Sequence, residues 1–165
     1  MNSEQKVIGI DPGLAATGYG IVEGTAGKVS AFRFGTIRTS QSEDLAARLE
    51  HIFSRLCAIL QTEKPTLALI EGIFSLQRYP KSGIALGKVC GVLHLAGRQN
   101  SVPTIEIAAR EVKQVLTGNG AARKPQMERS VRALLKTTDP ISPSHASDAL
   151  AIALVGLLRY RSKPS

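Results

Sequence analysis

Tryptophan is absent, aromatic residues make up only 4% of the chain, and its 165 residues include just two cysteines and four aspartates. Cys57 and Cys90 sit in apolar helical patterns without C-x-x-C spacing. They are therefore expected as reduced core thiols, which excludes a disulfide framework and a zinc site. Long apolar runs are missing too. The longest, Ala149 to Leu158, contains a glycine and falls short of the ~20 residues that cross a bilayer. The polar N-terminus has no signal-peptide pattern, so a cytoplasmic protein with no membrane attachment is expected. Acidic residues are outnumbered, 13 against 21 Lys+Arg, for a formal charge of +8 and a pI near 9.9. Such a surplus points to a polyanionic partner, nucleic acid first. No single helix gathers the basic residues opposite an apolar face, as a membrane-surface helix would.

The elements follow from hydrophobic periodicity. Residues 6–11 (KVIGID) read as a first strand. Residues 17–23 and 29–38 alternate well enough for two more, joined by the Gly-Thr-Ala-Gly turn in an antiparallel meander. A helix follows with Leu45, Leu49, Ile52, Phe53, Leu56, Ile59 and Leu60 on one face, ended by Lys64-Pro65. The short apolar run 66–72 (TLALIEG) marks a strand covered on both faces. A small-residue-rich helix is expected from about Ser82 to Arg98, then a strand at 104–108. Helices follow at 110–116, about 125–136, and through SPSHASDALAIALVGLLRY, with Ser142 expected as N-cap and Pro143 at the first helical position. This order implies one α/β domain over residues 1–165, a mixed five-stranded sheet with helices on both faces.

Two strands end alike, at Asp11 and at Glu71. The last helix opens with His145 and Asp148, three residues apart and so on one face. Each has an ordinary reading: an Asp before Pro-Gly serves turn chemistry, a Glu at a strand end faces solvent, an Asp in a first turn favours the helix dipole. Brought together, Asp11, Glu71 and Asp148 form an oxygen cluster with His145 at its edge. Carboxylates so close raise one another's pKa unless a cation intervenes. An oxygen-rich site selects hard ions such as Mg²⁺, and two ions about 4 Å apart suit phosphodiester hydrolysis.

GIDPGLAATGYGIV, LIEGIFSLQ, AAREVKQVLTGNGAARK and HASDALAIAL, taken in order, resemble the successive motifs of the RuvC family of bacterial Holliday junction resolvases, over about residues 6–158. The resemblance implies a ribonuclease H-like fold. It also implies a homodimer that makes paired symmetric nicks in four-way junction DNA during recombination and repair, with Mg²⁺ as cofactor and Mn²⁺ able to substitute. Asp11, Glu71 and Asp148 fall on the family's catalytic acidic positions. Many members carry a fourth acid where this chain has His145. That histidine is left with three roles: metal ligand, orienter of the attacking water, or acceptor of its proton. A branch-migration motor complex is a further partner that only the resemblance suggests.

DNA contacts are expected from Phe74, three residues after Glu71, which is suited either to core packing or to stacking on junction bases. Basic residues Arg78, Lys81, Lys113, Arg123 and Lys124 flank the acids. Lys113 and Lys124 match family positions that contact DNA near the scissile phosphate. Gly118 and Gly120 are expected to leave the loop between them free to adapt. Glycines 83, 87, 91 and 97 suit either a dimer face or close seating on the sheet. Other readings carry different signatures. A non-catalytic junction binder would have no need of the acids, a sugar-kinase-like phosphotransferase needs a longer chain, and a ribosomal-RNA-processing nuclease of the same fold would prefer RNA.

Overall fold

A computed structural model describes residues 4–73 and 80–160. Strands β1 (Gln5–Asp11), β2 (Ala16–Thr25) and β3 (Lys28–Arg38) form the expected meander. Helix α1 (Leu45–Glu63) leads to β4 (Leu67–Glu71), helix α2 (Pro80–Gln99) to β5 (Thr104–Ile107), and helices α3 (Ala109–Thr117), α4 (Lys124–Leu135) and α5 (Ser144–Arg159) complete the chain. The sheet order is β3-β2-β1-β4-β5, antiparallel within the meander and parallel at β1·β4 and β4·β5. Among the described residues no helix is long and apolar enough to cross a membrane.

Alternation along the strands sorts side chains between two cores. Val7 and Leu69 face α3, α4 and α5, while Ile8, Ile10, Ala68 and Ile70 face α1 and α2. Both thiols belong to the second core, Cys90 buried within it and Cys57 partly buried against it. Burial pushes the Cys90 thiol up to about 11, which keeps it protonated and inert.

The same alternation places the charges. Asp11 lies two positions beyond Gly9 and four beyond Val7, so it points to the α5 side. Glu71 lies two beyond Leu69 and points the same way. Parallel pairing of Ile10 with Ile70 then sets Asp11 and Glu71 side by side at the carboxyl ends of adjacent strands.

Helix α5 comes unusually near the sheet. A Cβ at Gly9 would lie 2.2 Å from the Ala149 carbonyl oxygen, and one at Gly18 would lie 2.1 Å from that of His145. Only glycine permits this approach. Gly18 pairs with Asp11 in the β1·β2 register, so it seats the start of α5 directly beside that carboxylate.

The start of α5 differs from expectation. Pro143, with φ −74° and ψ 174°, is itself the N-cap, and the helix begins at Ser144. The extended Pro143 turns its carbonyl to accept from the amides of Ala146 and Ser147, leaving Ser142 outside the helix.

Candidate active site

Asp11 is 7% exposed, one of two buried polar side chains in the described core. Its Oδ2 lies 2.7 Å from His145 Nδ1. The other, Thr17, is 1% exposed. Its hydroxyl donates to the Gly13 carbonyl at 2.7 Å and accepts from the Gly13 amide at 3.3 Å, which locks the turn after Asp11. Sequence reading missed Thr17, since a threonine among strand residues looks like any other β-former. The one available signal is its position four residues after a Pro-Gly turn.

Glu71 and Asp148 show what crowding does to carboxylates. Glu71 is pushed up to about 7, by burial first, then by the charge of Asp11 and a hydrogen bond with it, then by the charge of Asp148; Lys113 opposes. Asp148 is raised by burial and by Asp11, against the nearby charges of Lys124, His145 and Lys113. The three acids therefore share one electrostatic environment, with Lys113 and Lys124 at its border. The three elements carrying them, β1, β4 and α5, converge as the sequence suggested.

Among the described residues, no three acidic, histidine or cysteine side chains enclose a ready-made ion cage. The fit to a divalent cation rests instead on the donor set. Carboxylates raised by burial and by one another are held in a state that a cation relieves, and their hard oxygens suit Mg²⁺.

A cleft of about 660 Å³ opens beside these acids between α3, α4 and α5. Glu71 and Asp148 line it together with Lys113, Arg123 and Lys124, among apolar side chains that include Val112, Met127 and Val131. Three of the basic residues singled out from sequence thus line one cleft. Lys81 does not; it is exposed in the first turn of α2. Phe74 and Arg78 lie outside the described residues.

The loop at Gly118 and Gly120 is tied down, contrary to expectation. Gly118 adopts φ 74° as the α3 C-cap, a left-handed conformation suited to glycine. Gln114 donates to the Gly118 carbonyl at 2.9 Å and accepts from the Gly120 amide at 3.0 Å. Asn119 Oδ1 accepts from Ala121 at 2.9 Å, and Gln126 Oε1 accepts from the Arg123 amide at 2.9 Å to open α4. The glycines make the sharp path possible, and these side chains fix it.

Known proteins match this chain along most of its length. The family profile described as crossover junction endodeoxyribonuclease RuvC matches residues 7–156. The RuvC protein of Caldicellulosiruptor saccharolyticus is 37% identical over 158 residues, spanning 95% of each chain. That of Tolumonas auensis is 42% identical over 149 residues, or 90% of this chain and 84% of the relative. Among solved structures, Thermus thermophilus RuvC in complex with Holliday junction substrate superposes with a TM-score of 0.88 at 31% identity, covering 93% of both chains. The yeast mitochondrial Holliday junction resolvase Ydc2 shares the fold at a TM-score of 0.65 and 15% identity.

Proposed function

This chain belongs to the crossover junction endodeoxyribonuclease RuvC family, and from that premise we propose that it resolves four-way DNA junctions by paired, symmetric phosphodiester hydrolysis in recombination and repair. The observation that carries the reading is the convergence of Asp11, Glu71 and Asp148 at one sheet end, two of them raised by burial and by neighbouring carboxylates.

Asp11, Glu71 and Asp148 are the acids that would hold Mg²⁺, two ions per site, with Mn²⁺ able to substitute. Bound there, the metal would activate a water and polarise the phosphoryl oxygens. His145 gives its Nδ1 to Asp11, and among the described residues its Nε2 has no bonding partner. With one ring nitrogen held by a carboxylate and the other free, Nε2 is available to ligate a metal, to orient water or to accept its proton. Lys113, Arg123 and Lys124 bind and position the scissile strand through its phosphates, without reading sequence. Water attacks phosphorus in line and the bond to the 3′ oxygen breaks, leaving 5′-phosphate and 3′-hydroxyl ends. Phe74, Arg78 and Lys81 serve the junction beyond the cut.

Residues 1–165 act as a single nuclease domain, cytoplasmic, and paired as a homodimer whose two sites match the two-fold symmetry of a junction. The exposed face of α2 supports the pairing. Ile84 and Leu95 are 62% and 50% exposed, and Gly87 and Gly91 between them have open space above their Cα atoms. Gly97 serves the fold instead, since a Cβ there would meet Thr104 Oγ1 at 2.3 Å. A branch-migration motor delivers the junction.

Nicking of an immobile four-way junction, with a linear duplex as control, tests the reading for wild type and Asp148→Asn in Mg²⁺, Mn²⁺ or EDTA. Symmetric cuts that need metal and vanish in the variant while binding survives are expected. Binding without cuts under either metal would leave a non-catalytic junction binder.

A further inference from the structure

The basic residues that line the cleft come from two helices and the loop between them. Lys113 stands on α3 next to Val112, which is 4% exposed and anchored in the core. Lys124 is the first residue of α4. Both act on Asp148, and Lys113 also on Glu71. Their separation is therefore set by a connection containing two glycines, the most permissive backbone available.

Most bonds in that connection are short in range. Thr117 Oγ1 meets the Asn119 backbone, Asn119 Oδ1 meets Ala121, and the Ala122 amide donates to the Asn119 carbonyl. Gln114 is different. It is exposed on α3, yet both ends of its carboxamide are bound, the nitrogen to the residue four ahead and the oxygen to the residue six ahead. An exposed glutamine gains little stability from such bonds because water competes for both atoms. What they do is join the body of α3 to the middle of the connection. Gly120 is packed as well as bonded, because a Cβ there would meet Arg110 Cγ at 3.0 Å.

We propose that Gln114 is a positioning residue: by bridging the end of α3 and the middle of the α3–α4 connection, its carboxamide sets Lys124 at a fixed place relative to Lys113 in the carboxylate cleft. The inference rests on the nuclease reading above. A scissile phosphate then enters between cations already in place, so little ordering of the loop remains to be done at the moment of reaction.

Single-turnover cleavage of an immobile four-way DNA junction tests this, using full-length wild type, Gln114→Leu, Lys124→Ala and the double variant. Leucine keeps the helix and the bulk of the side chain but removes both bonds. Gln114→Leu is expected to lower the rate at saturating protein about five- to tenfold, with the half-saturating protein concentration changed much less. In the Lys124→Ala background the same substitution is expected to do almost nothing, because a residue acting through Lys124 has no effect once it is gone. Equal losses in both backgrounds, or an unchanged rate, would overturn the proposal. Amide exchange over residues 118–122 is read in parallel, and Gln114→Leu is expected to accelerate it while leaving 146–156 protected. Should wild type leave the junction uncut, the nuclease reading falls; the exchange data still decide the staple, and unaltered protection at Gly120 overturns it.

Discussion

Strand β1 begins at a cluster of charges that balances and ends at one that does not. Near its start, Lys6 and Arg33 meet Glu23 and Glu63, two cations for two carboxylates. Arg33 grips Glu63 with two bonds, at 3.1 and 2.7 Å, and reaches Glu23 as well. The Arg33 hydrogen bond holds Glu63 below the usual carboxylate range. At Glu23 a burial effect opposes, and Lys6 and Arg33 together outweigh it. At the far end of the same strand, Asp11, Glu71 and Asp148 face one another, and Glu71 and Asp148 are driven up. Both ends obey the same electrostatics. The first is arranged for the folded chain alone, whereas the second is completed only by something that brings positive charge.

The comparison breaks most sharply through chemistry. Asp11→Asn, Glu71→Gln or Asp148→Asn is expected to lower junction cleavage by on the order of 10³-fold or more, since each would remove an oxygen donor from the proposed metal site, worth several kcal/mol of transition-state stabilisation. Gel-based single-turnover assays measure that loss, and junction binding in EDTA should persist. Next in size is Gly18→Ala. The added methyl collides with the His145 carbonyl, so α5 must move off the sheet. Overpacking of this kind costs about 1–3 kcal/mol, readable by denaturant unfolding, and it should weaken cleavage by parting His145 and Asp148 from Asp11.

The pH dependence sharpens the contrast. Glu71 titrates near 7 in the folded, metal-free chain and near its ordinary value of about 4.3 when unfolded. Between those values the native state holds the extra proton, so stability falls as pH rises through 7. In EDTA the chain should gain about 1 kcal/mol between pH 8 and 6, and Glu71→Gln should flatten that slope. The smallest effect belongs to the balanced end. Glu63→Gln is expected to cost about 0.5–1 kcal/mol by thermal unfolding, as partly exposed ion pairs do, with cleavage unchanged.

How much of this could be read from the chain alone depended on the range of the interactions. Period-two alternation and helical periodicity are local, so all ten elements among the described residues are legible within a few residues of their ends. The acids Asp11 and Glu71 stood out because each closes an apolar strand, and Asp148 because it shares a helix face with His145. The balanced cluster left no such mark, since Lys6, Glu23, Arg33 and Glu63 come from four elements and meet only once the sheet is built. Gln114 was invisible for a related reason. Glycines at 118 and 120 signal freedom, and only the folded turn shows a side chain taking that freedom away. The cap at Pro143 was misplaced by one residue because serine is the commoner cap, while here the proline itself holds the extended conformation.

The most direct test sets Glu71→Gln beside Glu63→Gln, the same carboxylate-to-amide change at opposite ends of the sheet, each read by junction cleavage in Mg²⁺ and by melting in EDTA at pH 8. The account predicts that Glu71→Gln abolishes cleavage and melts at or above the wild-type temperature, while Glu63→Gln cuts normally and melts lower. Cleavage that survives Glu71→Gln, or a Glu71→Gln protein that loses stability as Glu63→Gln does, would contradict it.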